Sequence, residues 1–319
     1  FPISVLFEAP TIAQIAARIT AQTGESTAPE AAEATRPRFV HLVPLNGVTP
    51  AKAAPLFVVA GMFGNVLNLR HLAMQFAGSR AVYGLQARGL IGESAPHETV
   101  EEAAADYIAE LRQVQAKGPY LLSGFSGGGI TAYEMARQLR AAGEDVAALA
   151  LLDTPLPVRP SLSKPDKALI KLAELREKGP AYLLEWARNR IAWEKTKRQG
   201  KTDQSQAAQF NNTRIEAAFL RAVARYQTPE WDGPMLLLRP VLDRKYKVTK
   251  GNWVSSAREY VFADNDWARY ARRVQVIEVP GDHDSIVLSP NVVVMAAELR
   301  EVINEALAGD APRQATAAE

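Results

Sequence analysis

Ser126 stands in the pentapeptide Gly124-Phe125-Ser126-Gly127-Gly128, behind the apolar run Tyr120–Ser123 and ahead of a helix-like stretch from Thr131 to Ala142. A Gly-x-Ser-x-Gly turn between a strand and a helix raises the serine hydroxyl above a sheet. The backbone is sharply bent there, and Gly124 and Gly128 mark where strand and helix pass too close for side chains. The chemistry such a serine serves is nucleophilic attack on an acyl carbon. Its hydroxyl is a weak nucleophile at neutral pH, so it needs a general base within hydrogen-bond reach and donors for the oxyanion that forms.

The chain has four histidines, His41, His71, His97 and His283. In the α/β-hydrolase arrangement the order along the chain is nucleophile, acid, histidine, with the histidine in the loop after the last strand. His283 is the only histidine beyond Ser126, and it follows the apolar run Val274–Val279 in Pro280-Gly281-Asp282-His283-Asp284. Elimination makes it the expected base. Two acids compete to orient it. Asp153 ends the run Ala147–Leu152, where a parallel strand would point it into a crevice. Asp243 lies several residues beyond the run Met235–Leu238, past Pro240, and Asp282 and Asp284 cannot easily fold back onto the ring. Asp153 is the favoured acid. One oxyanion donor is expected from the Gly127 backbone. The second is expected in Gly61-Met62-Phe63-Gly64-Asn65 after the run Leu56–Ala60, with Met62 as the chosen donor.

These residues need elements to carry them. Leu56–Ala60, Arg80–Leu85, Tyr120–Ser123, Val146–Leu152, Met235–Leu238 and Val274–Val279 read as strands, several of them continuously apolar as in parallel strands buried on both faces. Val100–Gln115, Thr131–Ala142 and Asn291–Ala306 read as helices between or after them. The alternation predicts an α/β fold, a mostly parallel central sheet with helices on both faces. From about 155 to 227 the periodicity is helical, with stripes at Ile215, Phe219, Ala222 and Tyr226 and at Tyr182, Leu183 and Trp186. A helical lid over the site is expected there. Trp186, Trp193 and Trp231 read as core rather than as tunnel lining. Residues 161–200 carry ten Lys/Arg against five Asp/Glu, read as a solvated helix face.

Composition narrows the classes further. The 319 residues are 47% hydrophobic and 23% charged, with a net charge of +2, which argues against a nucleic-acid or acidic-membrane role. The absence of cysteine excludes thiolate nucleophiles, disulfide scaffolds and cysteine-ligated zinc. With no long apolar run and no signal-like opening, a cytoplasmic protein is expected, and a first residue of Phe reads as a piece of something longer. Residues 1–21 hold a short amphipathic helix capped at Thr11, residues 22–38 a linker without periodicity, 39–307 the main domain and 308–319 a disordered tail.

Together these segments resemble a type I thioesterase domain, the chain-releasing module of nonribosomal peptide and polyketide synthases. The resemblance rests on Gly-Phe-Ser-Gly-Gly around Ser126, on Val82-Tyr83-Gly84-Leu85-Gln86 with Gly89-Leu90, on Asp153 at the family's spacing and on Gly281-Asp282-His283. It spans most of residues 55–307. Ser4 to Ile12 is similar to the closing stretch of an acyl or peptidyl carrier domain, whose phosphopantetheine-bearing serine would lie upstream; Ser4 is not that serine. The resemblance implies that Ser126 takes an acyl chain from a carrier's phosphopantetheine thioester, then releases it to water or to an internal hydroxyl or amine. It implies the upstream carrier as partner and no directly bound metal or redox cofactor. An esterase or lipase on the same fold, a proofreading thioesterase and a domain used only for binding are the rival readings.

Overall fold

Every residue of strand β2 (Leu56–Val59) is buried, because alternate side chains serve two different helical layers. Leu56 and Val58 join one cluster with Leu72, Phe76, Met295 and Leu299, while Phe57 and Val59 join another with Tyr107, Leu111, Tyr133 and Leu139. A computed structural model describes residues 16, 17, 20, 39–48, 53–90, 94–179 and 212–309. The first fifteen residues, nearly all of the expected carrier-like helix, the expected linker and almost all of the expected tail lie outside them. So do Trp186, Trp193 and residues 180–200 of the charged stretch 161–200.

Seven strands form the main sheet: β1 (Leu42–Pro44), β2, β3 (Val82–Leu85), β4 (Tyr120–Phe125), β5 (Val146–Leu152), β6 (Trp231–Pro240) and β9 (Ala271–Val279), in the order β1-β3-β2-β4-β5-β6-β9. All neighbours are parallel except the edge pair β1–β3. The helices α1 (Arg70–Gln75) and α6 (Asn291–Ala308) cover one face; α2 (Val100–Val114) and α3 (Gly128–Ala141) cover the other. The expected α/β architecture is therefore present. Strand β1 was not anticipated: three residues beside a proline carry too little pattern. Trp231 is buried at the start of β6, as a core residue. No helix among the described residues is long and apolar enough to cross a membrane.

The chain divides into two units, one of residues 1–157, 210–241 and 266–319, the other of 158–209 and 242–265. The stretch 155–227 is thus split rather than one insertion. Helix α5 (Asn212–Arg225) belongs to the first unit, where Ala222, Val223 and Tyr226 cluster with Val100 and Ile130. The second unit contains α4 (Lys164–Lys178) and the antiparallel pair β7 (Tyr246–Lys247) and β8 (Trp253–Val254). Its small core is Ile170, Tyr246, Val248 and Val254. There Asp166 accepts from the Ser163, Thr249 and Tyr260 hydroxyls, and these hydrogen bonds hold its carboxyl far below the usual range.

Candidate active site

The chain leaves β2 toward β3 on one side and returns through β4 on the other, so the sheet order reverses between β2 and β4. Such a switch point opens a crevice at the carboxyl ends of the strands. Val59 of β2 and Gly124 of β4 are register partners there, and the loops that follow both strands meet. A Cβ on Gly61 would sit 3.6 Å from Ser126 Cβ.

The turn after β4 forces Ser126 to φ 53°, a left-handed conformation costly for a residue with a side chain. Its amide donates to Leu152 O at 2.9 Å, and its carbonyl accepts from Gly129 N at 3.1 Å as α3 begins. The glycines are sterically required. A Cβ on Gly124 would lie 2.4 Å from Gly128 O, and one on Gly128 would lie 2.2 Å from Ala60 O, backbone atoms that cannot step aside.

His283 follows β9, and its ring stacks on Phe125 with centroids 5.4 Å apart. Its Nδ1 lies 2.6 Å from Asp153 Oδ2 and its Nε2 lies 2.9 Å from Ser126 Oγ. A carboxylate only accepts, so Nδ1 carries the proton and Nε2 offers its lone pair to the serine hydroxyl. The His283 side chain is 46% exposed and that of Asp153 19%, so the chain of hydrogen bonds opens outward at its histidine. Asp153 itself is strained, at φ 46°, and its amide donates to Leu238 O at 2.7 Å.

The competing acids are engaged elsewhere. Asp243 belongs to the second unit and accepts from Ser256 N at 2.7 Å. Asp282 accepts from the Ser285 amide and hydroxyl at 2.9 and 2.7 Å, which holds its carboxyl below the usual range. The structure therefore brings Ser126, His283 and Asp153 together and leaves Asp243 and Asp282 with other partners.

Met62 and Gly127 adjoin: a Cβ on Gly127 would be 3.5 Å from Met62 Cβ. Among the described residues neither backbone N–H has a partner. Gly127 is also the N-cap of α3, so its N–H sits at the positive end of the helix. The sequence did not single out Phe125 or Phe219 as neighbours of the site. A Cβ on Gly127 would reach the Phe219 ring at 2.6 Å. The helical stripe containing Phe219 was visible, but periodicity fixes a face without naming what that face meets.

A second histidine–carboxylate group joins His41 before β1, His97 before α2 and Asp106 within α2. His41, His97 and Asp106 bring ligand-type atoms within 4.8 Å of one another, a spacing compatible with a cation. Arg88 Nη1, however, already donates to Asp106 Oδ2 at 3.0 Å, as does His97 Nε2 at 3.0 Å. With a guanidinium on the only carboxylate, the donor set fits an ion-paired cluster rather than a metal. Burial pushes both histidines below their ordinary pKa, so they are neutral.

Residues 54–295 match the Thioesterase domain family. Malpinin synthetase of Mortierella alpina is 40% identical over 154 residues, 48% of this chain and 2% of that protein. The dimodular nonribosomal peptide synthase of Bacillus subtilis is 37% identical over 173 residues, 53% of this chain and 7% of that protein. The chain thus spans only a small part of the curated relatives it matches, 2%, 9% and 11% of the first three. In three dimensions it is similar to the NocB thioesterase domain in covalent complex with a fluorophosphonate nocardicin G analogue. That likeness has a TM-score of 0.56 at 23% identity and covers 82% of this chain and 99% of the other. The Vlm2 thioesterase domain bound with a dodecadepsipeptide gives a TM-score of 0.51 at 22% identity, covering 82% and 97%. At these identities the likeness concerns the fold, which is of the α/β-hydrolase type.

Proposed function

The chain belongs to the thioesterase-domain family, and from that premise we propose that it releases an acyl or peptidyl chain from a carrier-bound phosphopantetheine thioester by way of Ser126. The observation that carries this reading is the continuous hydrogen-bonded line Ser126–His283–Asp153, at 2.9 and 2.6 Å, ending on a serine in a strained turn.

In this reading Ser126 Oγ attacks the thioester carbon while its proton passes to His283 Nε2. Asp153 holds the Nδ1–H and stabilises the imidazolium. The oxyanion settles on the Met62 and Gly127 N–H groups, which have no other partner among the described residues. Collapse breaks the C–S bond, and the proton on His283 leaves with the thiol. The resulting ester on Ser126 is then attacked by water or by an internal hydroxyl or amine. That nucleophile gives its proton to His283, the ester C–O bond breaks, and the proton returns to Ser126. A thiolate is a good leaving group, so the serine, histidine and acid supply all the proton transfers required. The upstream carrier is the proposed partner and delivers the thioester on its phosphopantetheine.

Matched substrates test this reading: one acyl group presented as a carrier-bound thioester and as an oxygen ester of similar size. The expected result is faster release from the thioester, abolished by Ser126→Ala. Preferential cleavage of the oxygen ester would favour an esterase, and full activity in Ser126→Ala would remove the serine from the chemistry.

A further inference from the structure

Beside the oxyanion loop, the first unit holds a half-open cavity of about 50 Å³ that the proposed chemistry does not use. One water needs only about 15 Å³ of such space. Met62 and Phe219, which both adjoin Gly127, line the cavity, so it begins where the acyl carbonyl would sit. Val100, Ala103, Ile215 and Ala222 make most of the rest apolar.

Four polar side chains interrupt that lining: Thr99 is exposed and spends its hydroxyl oxygen on capping α2 by accepting from Glu102 N, while His97, Tyr107 and Thr131 are only 8%, 4% and 4% exposed. Each of the last three brings an unclaimed atom. His97 Nε2 carries the proton shared with Asp106, so Nδ1 keeps a lone pair and can only accept. Burial lowers the His97 pKa and raises that of Tyr107, which keeps the imidazole neutral and the phenol protonated. Among the described residues, His97 Nδ1, the Tyr107 hydroxyl and the Thr131 hydroxyl have no hydrogen-bond partner, and none of them is sealed in by protein. Polar groups left dry and unpaired in an apolar wall are costly, so such a set is built for something that enters.

What enters is constrained by the donor inventory. An acceptor-only nitrogen demands a donor from the guest, and the two hydroxyls either give or accept. The charged groups described nearby are engaged with one another, Arg88 donating to Asp106 at 3.0 Å and to Glu102 at 2.5 Å, so an ionic guest would find no free counter-charge there. The small volume admits only a few heavy atoms, and the apolar wall suits their carbons.

We propose that this cavity is a subsite for a small neutral hydroxylated substituent of the acyl chain, whose hydroxyl donates to His97 Nδ1 and pairs with Tyr107 and Thr131. This rests on the acyl-enzyme reading of Ser126, since the substituent is delivered by a chain attached there.

The test uses the N-acetylcysteamine thioesters of 3-hydroxybutanoate and butanoate, which differ by one hydroxyl. The wild type is expected to favour the hydroxylated substrate by about tenfold in kcat/KM, the worth of one or two buried hydrogen bonds. Tyr107→Phe and Thr131→Val, which keep side-chain shape, should each bring that ratio several-fold closer to one. In Ser126→Ala protein, which holds substrate without reacting, the ¹⁵N resonance of His97 Nδ1 should move with the hydroxylated thioester and stay in place with butanoyl. A response of His97 without turnover of either thioester by the wild type would sink the serine chemistry and keep the subsite. A ratio near one in the wild type with a silent His97 overturns the subsite and leaves a cavity that holds structural water only.

Discussion

Two histidine–carboxylate pairs in this chain use the same parts for opposite ends. His283 and Asp153 meet at 2.6 Å with the histidine half exposed, and the second ring nitrogen faces a serine hydroxyl. His97 and Asp106 meet at 3.0 Å with the histidine buried, and the carboxylate is shared with Arg88. The difference lies in what each carboxylate and each free nitrogen sees. Asp153 accepts from the ring at Nδ1 and so fixes the tautomer that turns the Nε2 lone pair toward Ser126. Asp106 is already neutralised by a guanidinium, and burial keeps His97 uncharged. A histidine on an aspartate becomes a base only where its ring is free to charge and a nucleophile waits on the far side.

The sharpest way to break that comparison is His283→Ala, which removes the proton acceptor from Ser126. It should lower kcat by about 10⁴-fold to 10⁶-fold in thioester hydrolysis. Asp153→Asn should follow, with a loss of about 10³-fold to 10⁴-fold, because the amide favours the wrong tautomer. Its control is Asp243→Asn, whose carboxylate serves Ser256 in the second unit and should leave kcat within about twofold. Equal losses in the two variants would mean that the acid has been assigned to the wrong strand end.

Asp106→Asn should act mainly on stability. It replaces the charged oxygen shared by Arg88 and His97 with a neutral amide, weakening both hydrogen bonds, and should cost about 1–3 kcal/mol in chemical denaturation. The smallest effect is on pH. Folded His41 and His97 both sit below their ordinary pKa because burial penalises the charge, so below about pH 6.5 the unfolded chain binds protons that the folded one refuses. Stability is therefore greatest above that pH and falls as acid is added. His97→Gln should flatten the fall in Tm between about pH 7 and 5, and an unchanged slope would mean that the histidine is not neutral in the fold.

Much of the first pair was legible in the sequence and little of the second. Ser126 announces itself through glycines that must admit the Ala60 and Gly128 backbones, a steric demand written directly in residue type. His283 followed from scarcity, and Asp153 from its place at the end of an apolar run. Met62 and Gly127 were chosen by position, in the loop after the first central run and directly after the nucleophile. His41, His97 and Asp106 come from three separate segments around a short edge strand that has almost no pattern, and no local signal links them. Phe219 is similar: its stripe was visible, while its packing on Gly127 depends on where α5 lands. The split of residues 155–227 between two units was hidden for the same reason, since helical periodicity does not reveal which neighbour a helix chooses.

The central claim is a covalent bond to Ser126, and intact-protein mass spectrometry after rapid mixing with an acyl thioester tests it most directly. Wild-type protein should gain the mass of one acyl group, lost again as product appears, and Ser126→Ala should gain none. An adduct of the same mass on Ser126→Ala, or turnover by wild type through a nucleophile other than Ser126, would contradict the account.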